Sequence, residues 1–284
     1  MQNRAPLQRL AQSETLLVLQ TTTGLTTDTD ITTTPNTPSY EAFNLGLHVG
    51  DDAAAVRARR MQLLAMLNQN ISRHDTNAQP ITKIQWLSQV HGDTIYDADA
   101  APSLQAPAAD AMISSRAGQA LAIMTADCVP VTLYQPTTGK IAAIHAGWQG
   151  LANGIIAKTV AQFDSTAPIS AWIGASISQD NYEVGMAMAH KLYAGCQAAH
   201  SISDMSEADF IQRYSDAKTM DTDKCHINLP QLAFDQLIHA GAHVQHPMPV
   251  ACSYANADYY SYRRQTHLGQ PATGRMAMII VRLA

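Results

Sequence analysis

The sequence predicts one mixed α/β or α+β domain, on three observations. Short β-type runs alternate with stretches of helical spacing, no segment has linker composition, and 284 residues suffice to bury a sizeable core. The strand candidates, in chain order, are Ile84 to Val90, Ala120 to Thr125, Val129 to Tyr134, Ile141 to Ile144, Ala171 to Ile173 and Met276 to Val281. Helix candidates lie between them. Ala53 to Leu67 is alanine-rich and sheds charge onto one side, and Leu151 to Phe163 is apolar at helical spacing. Leu229 to Ala240 follows Asn228 as a cap, with Pro230 in the first turn. Residues 1–12 read as an N-terminal extension. Thr21 to Pro38, with ten threonines, two prolines and a glycine, offers no apolar face and reads as an exposed loop.

Composition narrows the partners. The 18 basic and 23 acidic side chains form no run of like charge, so no electrostatic footprint for nucleic acid or an anionic membrane is present. The first residues carry Arg4 and Arg9 but no apolar h-region follows, and no stretch approaches the roughly 18 apolar residues of a membrane span. The expectation is a cytoplasmic protein, monomeric or a small homo-oligomer, that acts on small solutes. Cys128, Cys196, Cys225 and Cys252 are scattered without CxxC pairing, which signals neither a disulfide framework nor a zinc finger. Cys196 reads as following a helical run, and Cys225-His226 as part of a charged loop. His239 and His243 have helical spacing, but Gly241 between them ends the helix.

Three strand-like runs end in a ligand-type residue followed by turn residues: Trp86 to Gly92 with His91, Ile123 to Pro130 with Cys128, and Ile141 to Trp148 with His145. Two imidazoles and one thiolate make a zinc site that keeps its fourth position for water, the catalytic rather than the structural arrangement. Taken singly, each residue has a plainer reading: a small buried hydrophobe for the cysteine, a hydrogen-bonded surface group for a histidine. The separations, 37 and then 17 residues, match no local zinc pattern.

Read together, these segments resemble the family long labelled multicopper polyphenol oxidase, or laccase domain. The resemblance runs from about Thr21 to the C-terminus. It is carried by Phe43-Asn44-Leu45-Gly46-Leu47-His48-Val49-Gly50-Asp51, Gln89-Val90-His91-Gly92, Ala109-Asp110-Ala111, Thr125-Ala126-Asp127-Cys128-Val129-Pro130-Val131, His145-Ala146-Gly147-Trp148, Tyr182-Glu183-Val184-Gly185, Ser261-Tyr262-Arg263-Arg264 and Thr273-Gly274-Arg275. It implies a YfiH-like layered α/β/β/α sandwich of mixed sheets, with metal on His91, Cys128 and His145. It also implies zinc-dependent phosphorolysis of adenosine, inosine and S-methyl-5′-thioadenosine, with adenosine deaminase activity besides.

On that reading the partners are a purine nucleoside and inorganic phosphate. Arginine offers phosphate a planar pair of donors, so Arg60, Arg263, Arg264 and Arg275 are the phosphate candidates, with Asn44 and His48 beside them; surface ion pairing is their plainer use. The turn Ala146 to Gly150 leads into a helix whose amides face an anion beside the metal if His145 is a ligand, and Trp148 there can stack on a purine or simply pack. Deamination asks for a carboxylate to move protons, for which Asp127 and, second, Glu183 are candidates. Asp127 reaches the metal only if the chain turns there; otherwise it caps a loop.

Departures from the family pattern fall near substrate. Gln149 stands where an arginine is usual, the early Thr-Thr-Arg-x-Gly-Gly element is replaced after Thr22-Thr23-Gly24, and the Gly-Pro-x-Ile-Gly-Pro loop is Gly174 to Gln179. Copper ranks below zinc, because eleven histidines include no His-x-His pair of the kind that builds laccase copper centres. Two other jobs fit the same residues: editing of peptidoglycan precursors, and a closed metal-buffering site with Cys252 or His48 as fourth ligand.

Overall fold

Runs that are apolar at every position set the architecture, because a strand that alternates its side chains between two faces can be apolar throughout only if both faces are covered. The computed structural model describes residues 6–24, 35–72, 79–100, 105–216 and 223–283. Its strands are β1 (Leu7–Gln12), β2 (Leu16–Thr21), β3 (Lys83–Gln85), β4 (Ile95–Asp97), β5 (Ala111–Ser114), β6 (Gln119–Thr125), β7 (Val129–Gln135), β8 (Lys140–Ala146), β9 (Ile169–Ile173), β10 (Glu183–Gly185), β11 (Ser215–Asp216), β12 (Lys224–Ile227), β13 (Ala242–Val244) and β14 (Met276–Arg282). The helices are α1 (Ala53–Ser72), α2 (Trp148–Ala152), α3 (Ile155–Val160), α4 (Met186–Ala198), α5 (Glu207–Tyr214), α6 (Leu229–His239) and α7 (Tyr262–His267).

Two mixed sheets, ordered β1-β2-β14-β6-β3 and β13-β9-β7-β8-β5-β4, pack face to face. Leu121 and Ile123 of β6 and Met278 and Ile280 of β14 meet Met112, Ile141, Ala143 and Trp172 of the second sheet. The alternate residues, Ala120, Ala122, Ala277, Ile279 and Val281, pack with Leu63, Leu67 and Ile71 of α1 on the other side. The far face of the second sheet, with Val131, Leu133, Ala142 and Ile144, is covered by α2, α3 and α6, and α4 packs on α2. The layers are therefore helix, sheet, sheet, helix, as the resemblance implies. A small sheet, β10-β12-β11, sits against α4 and α5.

Several elements differ from the sequence reading. Of the Ile84 to Val90 run only Ile84 and Gln85 are strand, in β3 (Lys83–Gln85). Beyond it the chain leaves the ladder: Ser88 bridges to Ala108, the Gln89 amide takes up the N–H and C=O of Met124, and His91 turns at φ 61°. The Leu151 to Phe163 helix is two helices, α2 beginning earlier at Trp148 and α3 starting after Gly154, whose φ of 73° breaks the helical path. A side chain at Gly154 would meet the Ala199 Cβ at 2.9 Å. Residues 7–12 are not an extension but the edge strand β1. Thr21 closes β2, and Thr21 and Thr23 are buried. Residues 25–34 of the threonine-rich stretch lie outside the described residues. Cys225 and His226 belong to β12, held between two partners, and Cys196 is inside α4, buried. α6 is as expected: Asn228 Oδ1 accepts from Gln231 N at 3.1 Å, and Gly241 at φ 88° follows the helix end.

β6 ends in the first sheet and β7 begins in the second, so the three residues between them, Ala126, Asp127 and Cys128, cross from one sheet to the other. Among the described residues, no helix is long and apolar enough to span a membrane.

Candidate metal centre and its cavity

The crossing is what brings the ligand-type residues together. Asp127 has φ 105°, a conformation that reverses the chain and delivers Cys128 beside His145, which β8 carries as the ladder partner of Pro130. His91 arrives from the turn beyond β3 in the left-handed region. The donor atoms of His91, Cys128 and His145 all lie within 4.8 Å of one another, a group suited to holding a metal ion. The two imidazoles meet edge to face with centroids 4.7 Å apart. Gly147 closes this point: a Cβ there would stand 3.3 Å from both Cys128 Sγ and the His91 ring.

Asp110 organises the group from behind. It is fully buried, and its carboxylate accepts the backbone N–H groups of Val90, His91 and Gly92 at 3.3, 2.9 and 2.7 Å. Three successive amides around one carboxylate form an anion nest, which stabilises the unusual turn at His91. The same carboxylate lies 2.8 Å from His145 Nδ1, which leaves Nε2 as the ligand atom. Burial alone would raise the Asp110 pKa, but the His145 ring and the Gly92 and His91 amides outweigh it and hold it below the usual range. Burial likewise opposes a Cys128 thiolate. The charge and hydrogen bonds of His145 and His91 win, and the thiol is brought down to about 6. Burial disfavours a charged His145, yet Cys128 and Asp110 raise its pKa. A thiolate at Cys128 is thus favoured, and a metal ion bound here displaces the proton that His145 carries.

A cavity of about 390 Å³ opens on the group. Its wall includes His48, Gln89, Thr125, Asp127, Trp148, Tyr182, Tyr262, Arg263 and Arg275. Of the sequence candidates, then, His48, Asp127, Arg263 and Arg275 come together with the three ligands. Burial, then Arg275, Arg60 and His91, lower the His48 pKa, so its ring is neutral near pH 7. Arg275 spends Nη1 on the carbonyls of Thr273 and Gly274 and has no carboxylate partner among the described residues. Arg263 donates Nη1 to the Glu183 carbonyl at 2.8 Å.

The remaining candidates, Arg60, Arg264, Asn44 and Glu183, are not part of the wall. Arg60 donates twice to the Leu45 carbonyl and lies 4.0 Å over the Trp86 ring. Arg264 ties down the carbonyls of Ser253 and Tyr254. Asn44 is buried and accepts from Gly46 N and Arg275 N at 2.9 and 2.8 Å. Glu183 pairs with Lys224 at 2.7 Å. Asp127 has both oxygens engaged, accepting from Ser253 Oγ and from Arg263 N at 2.7 Å each. Cys252 lies outside the metal group and accepts from Ser178 N and Oγ. α2 is only five residues long. Asp110, Gln89 and Tyr182 are the site residues to which sequence reasoning gave no role. The available signal for Asp110 was an acidic residue set between alanines beside an apolar strand.

A family model described as "Multi-copper polyphenol oxidoreductase laccase" matches residues 29–283. The chain is 33% identical over 245 residues to the purine nucleoside phosphorylase YfiH of Escherichia coli K12, covering 86% of this chain and 87% of that protein. It is 32% identical over 239 residues to a purine nucleoside phosphorylase of Corynebacterium glutamicum, covering 82% and 86%. Among solved structures, Neisseria meningitidis protein NMB0706 superposes with a TM-score of 0.71 at 27% identity, over 98% of this chain and all of that one. YlmD from Geobacillus stearothermophilus shares the fold, with a TM-score of 0.73 at 23% identity over 100% of this chain and 98% of that one.

Proposed function

We propose that this chain, which belongs to the multi-copper polyphenol oxidoreductase laccase family, is a zinc-dependent purine nucleoside phosphorylase acting on adenosine, inosine and S-methyl-5′-thioadenosine. The observation that carries the reading is one cavity wall on which His91, Cys128 and His145 converge beside Arg263 and Arg275.

The donor set fits zinc. Two imidazoles and a thiolate leave a fourth position open, and Asp110 on Nδ1 of His145 is the usual outer partner of a metal-bound histidine. A zinc ion on these residues supplies a Lewis acid at the cavity wall. Copper is the second candidate, since a soft thiolate accepts it.

The other residues take the roles that phosphorolysis needs. Arg263 and Arg275 hold phosphate, whose charge is the counterpart their guanidinium groups lack. Asn44 positions Arg275 through its backbone N–H, while Arg60 and Arg264 brace the wall from behind. Neutral His48 offers the nucleoside a hydrogen-bonding edge, and Trp148 a stacking face. Asp127 is the carboxylate for proton movement in the accompanying deamination of adenosine, a reading favoured by its place on the wall next to Cys128.

The test is incubation of purified protein with each nucleoside, with and without inorganic phosphate. Ribose 1-phosphate and free base are expected only when phosphate is present. Equal release of base in phosphate-free buffer means hydrolysis and removes the role given to the arginines.

A further inference from the structure

Tyr182 stands on the cavity wall with Cys128 and Asp127, and its position is tightly fixed. Its backbone N–H donates to the Gln179 carbonyl at 3.0 Å and its carbonyl accepts from Ile227 N at 3.2 Å. The Arg263 guanidinium lies 5.1 Å from the ring centroid, anchored there by its bond to the carbonyl of the next residue, Glu183. The ring is thus held against Arg263 at the cavity wall.

The hydroxyl of this clamped ring makes no hydrogen bond among the described residues, and it is not one of the sealed-off polar atoms of the interior. A half-buried phenol ordinarily finds a partner. Several other polar groups on the wall are already engaged, Asp127 with Ser253 and Arg263, His145 with Asp110 and Gln89 with Met124, while Thr125 Oγ1 has no partner among the described residues but is buried away from the cavity surface. Tyr262 also lines the cavity, but it is 57% exposed, so its hydroxyl is open to solvent.

We propose that the Tyr182 hydroxyl is a catalytic hydrogen-bond donor to the purine as the base departs. The inference rests on the phosphorylase reading and adds to it a group that acts on the leaving base. In phosphorolysis the C1′–N9 bond breaks with its electron pair passing to the purine. A phosphate oxygen supplies the pair for the new C1′–O bond, and the proton carried in on hydrogenphosphate leaves with the base through solvent. A donor to the purine stabilises the negative charge that builds there. Burial pushes the phenol up to about 12 against the opposing pull of Arg263, so the donor proton is retained across the neutral range.

The test is Tyr182→Phe, which keeps the ring and its stack with Arg263 and removes only the oxygen. Turnover is compared on inosine and on 7-methylinosine, whose base departs as a neutral molecule and builds no negative charge. The expected result is a kcat for inosine reduced about 100-fold, the scale of losing one such donor, with KM changed little and 7-methylinosine turned over at the wild-type rate. Because the ratio of the two rates is taken within one preparation, a partly unfolded variant does not disturb it. Equal losses on both nucleosides, or no loss on inosine, overturn the assignment. A wild-type enzyme that releases base equally without phosphate overturns the phosphorylase reading while the ratio still decides the role of Tyr182. One that cleaves neither nucleoside overturns both.

Discussion

Cys128 sits between two imidazoles, an arrangement that serves a metal-bound thiolate and a nucleophilic cysteine equally well. What separates the two uses is the second histidine: an open zinc site employs both, whereas a cysteine–histidine pair needs one. Cys128→Ala is therefore expected to lose bound metal and nucleoside turnover together, measured by elemental analysis and product chromatography on the same preparation. Full metal with no turnover would make Cys128 a nucleophile. Asp110 deserves a separate test, since it holds the His91 turn through three amides and the His145 ring through Nδ1. Asp110→Asn puts an NH₂ where one of two accepting oxygens stood, and zinc affinity in a chelator competition should fall about 10–100-fold. An unchanged affinity would show that packing alone orients the histidines. At this scale the sequence was most legible where chemistry is rare: a cysteine and two histidines at strand ends stand out. Asp110 and Tyr182 do not, because a carboxylate beside alanines or a tyrosine before a glutamate acquires a role only from what folds against it.

Elements matter here mainly for how they end. β6 supplies the site through the three residues that follow it, and α1 supports the opposite edge through Arg59, which pairs with Asp51 at 2.6 Å while Asn44 donates to the same oxygen at 2.9 Å. Burial would raise the Asp51 pKa, but Asn44, Arg59 and the Asp52 amide together lower it. A carboxylate depressed in the folded state stabilises the fold above its unfolded pKa of about 3.9, and that contribution is lost as pH falls through the lower folded value. The difference in thermal unfolding midpoint between wild type and Asp51→Asn should accordingly be greatest near neutrality and shrink toward about pH 2. A difference that stays constant with pH would mean that the Asp51 charge contributes nothing. Helices and strands read correctly from sequence were those whose pattern is self-sufficient, such as α6 with its Asn228 cap and Pro230. Those misread depend on distant partners. The helix breaks at the left-handed φ of Gly154, where the close approach of Ala199 leaves no room for a side chain, and β12 exists because β10 and β11 pair with it.

On the scale of the whole molecule, two sheets packed face to face place their strand crossing at one end, and the cavity occupies that end. One cluster of three ligand-type residues is found among the described residues, so protein purified without added metal should carry about one zinc per chain. Dominant copper at more than one per chain, with blue absorbance, would revive an oxidase role. The sequence alone pointed to the class of fold, through apolar runs such as Met276 to Val281, and it singled out the three residues that the structure brings together as a candidate metal group, through residue types that bind metal. Only the tertiary structure decided which candidates share the cavity. Arg263 and Arg275 face it while Arg60 and Arg264 brace carbonyls behind it, because an arginine's reach lets chain neighbours end on opposite sides of a wall. Whether His91 could meet Cys128 across 37 residues was likewise settled by long-range contacts: an anion nest around Asp110 and a reversed backbone at Asp127, neither of which leaves a periodic trace in sequence.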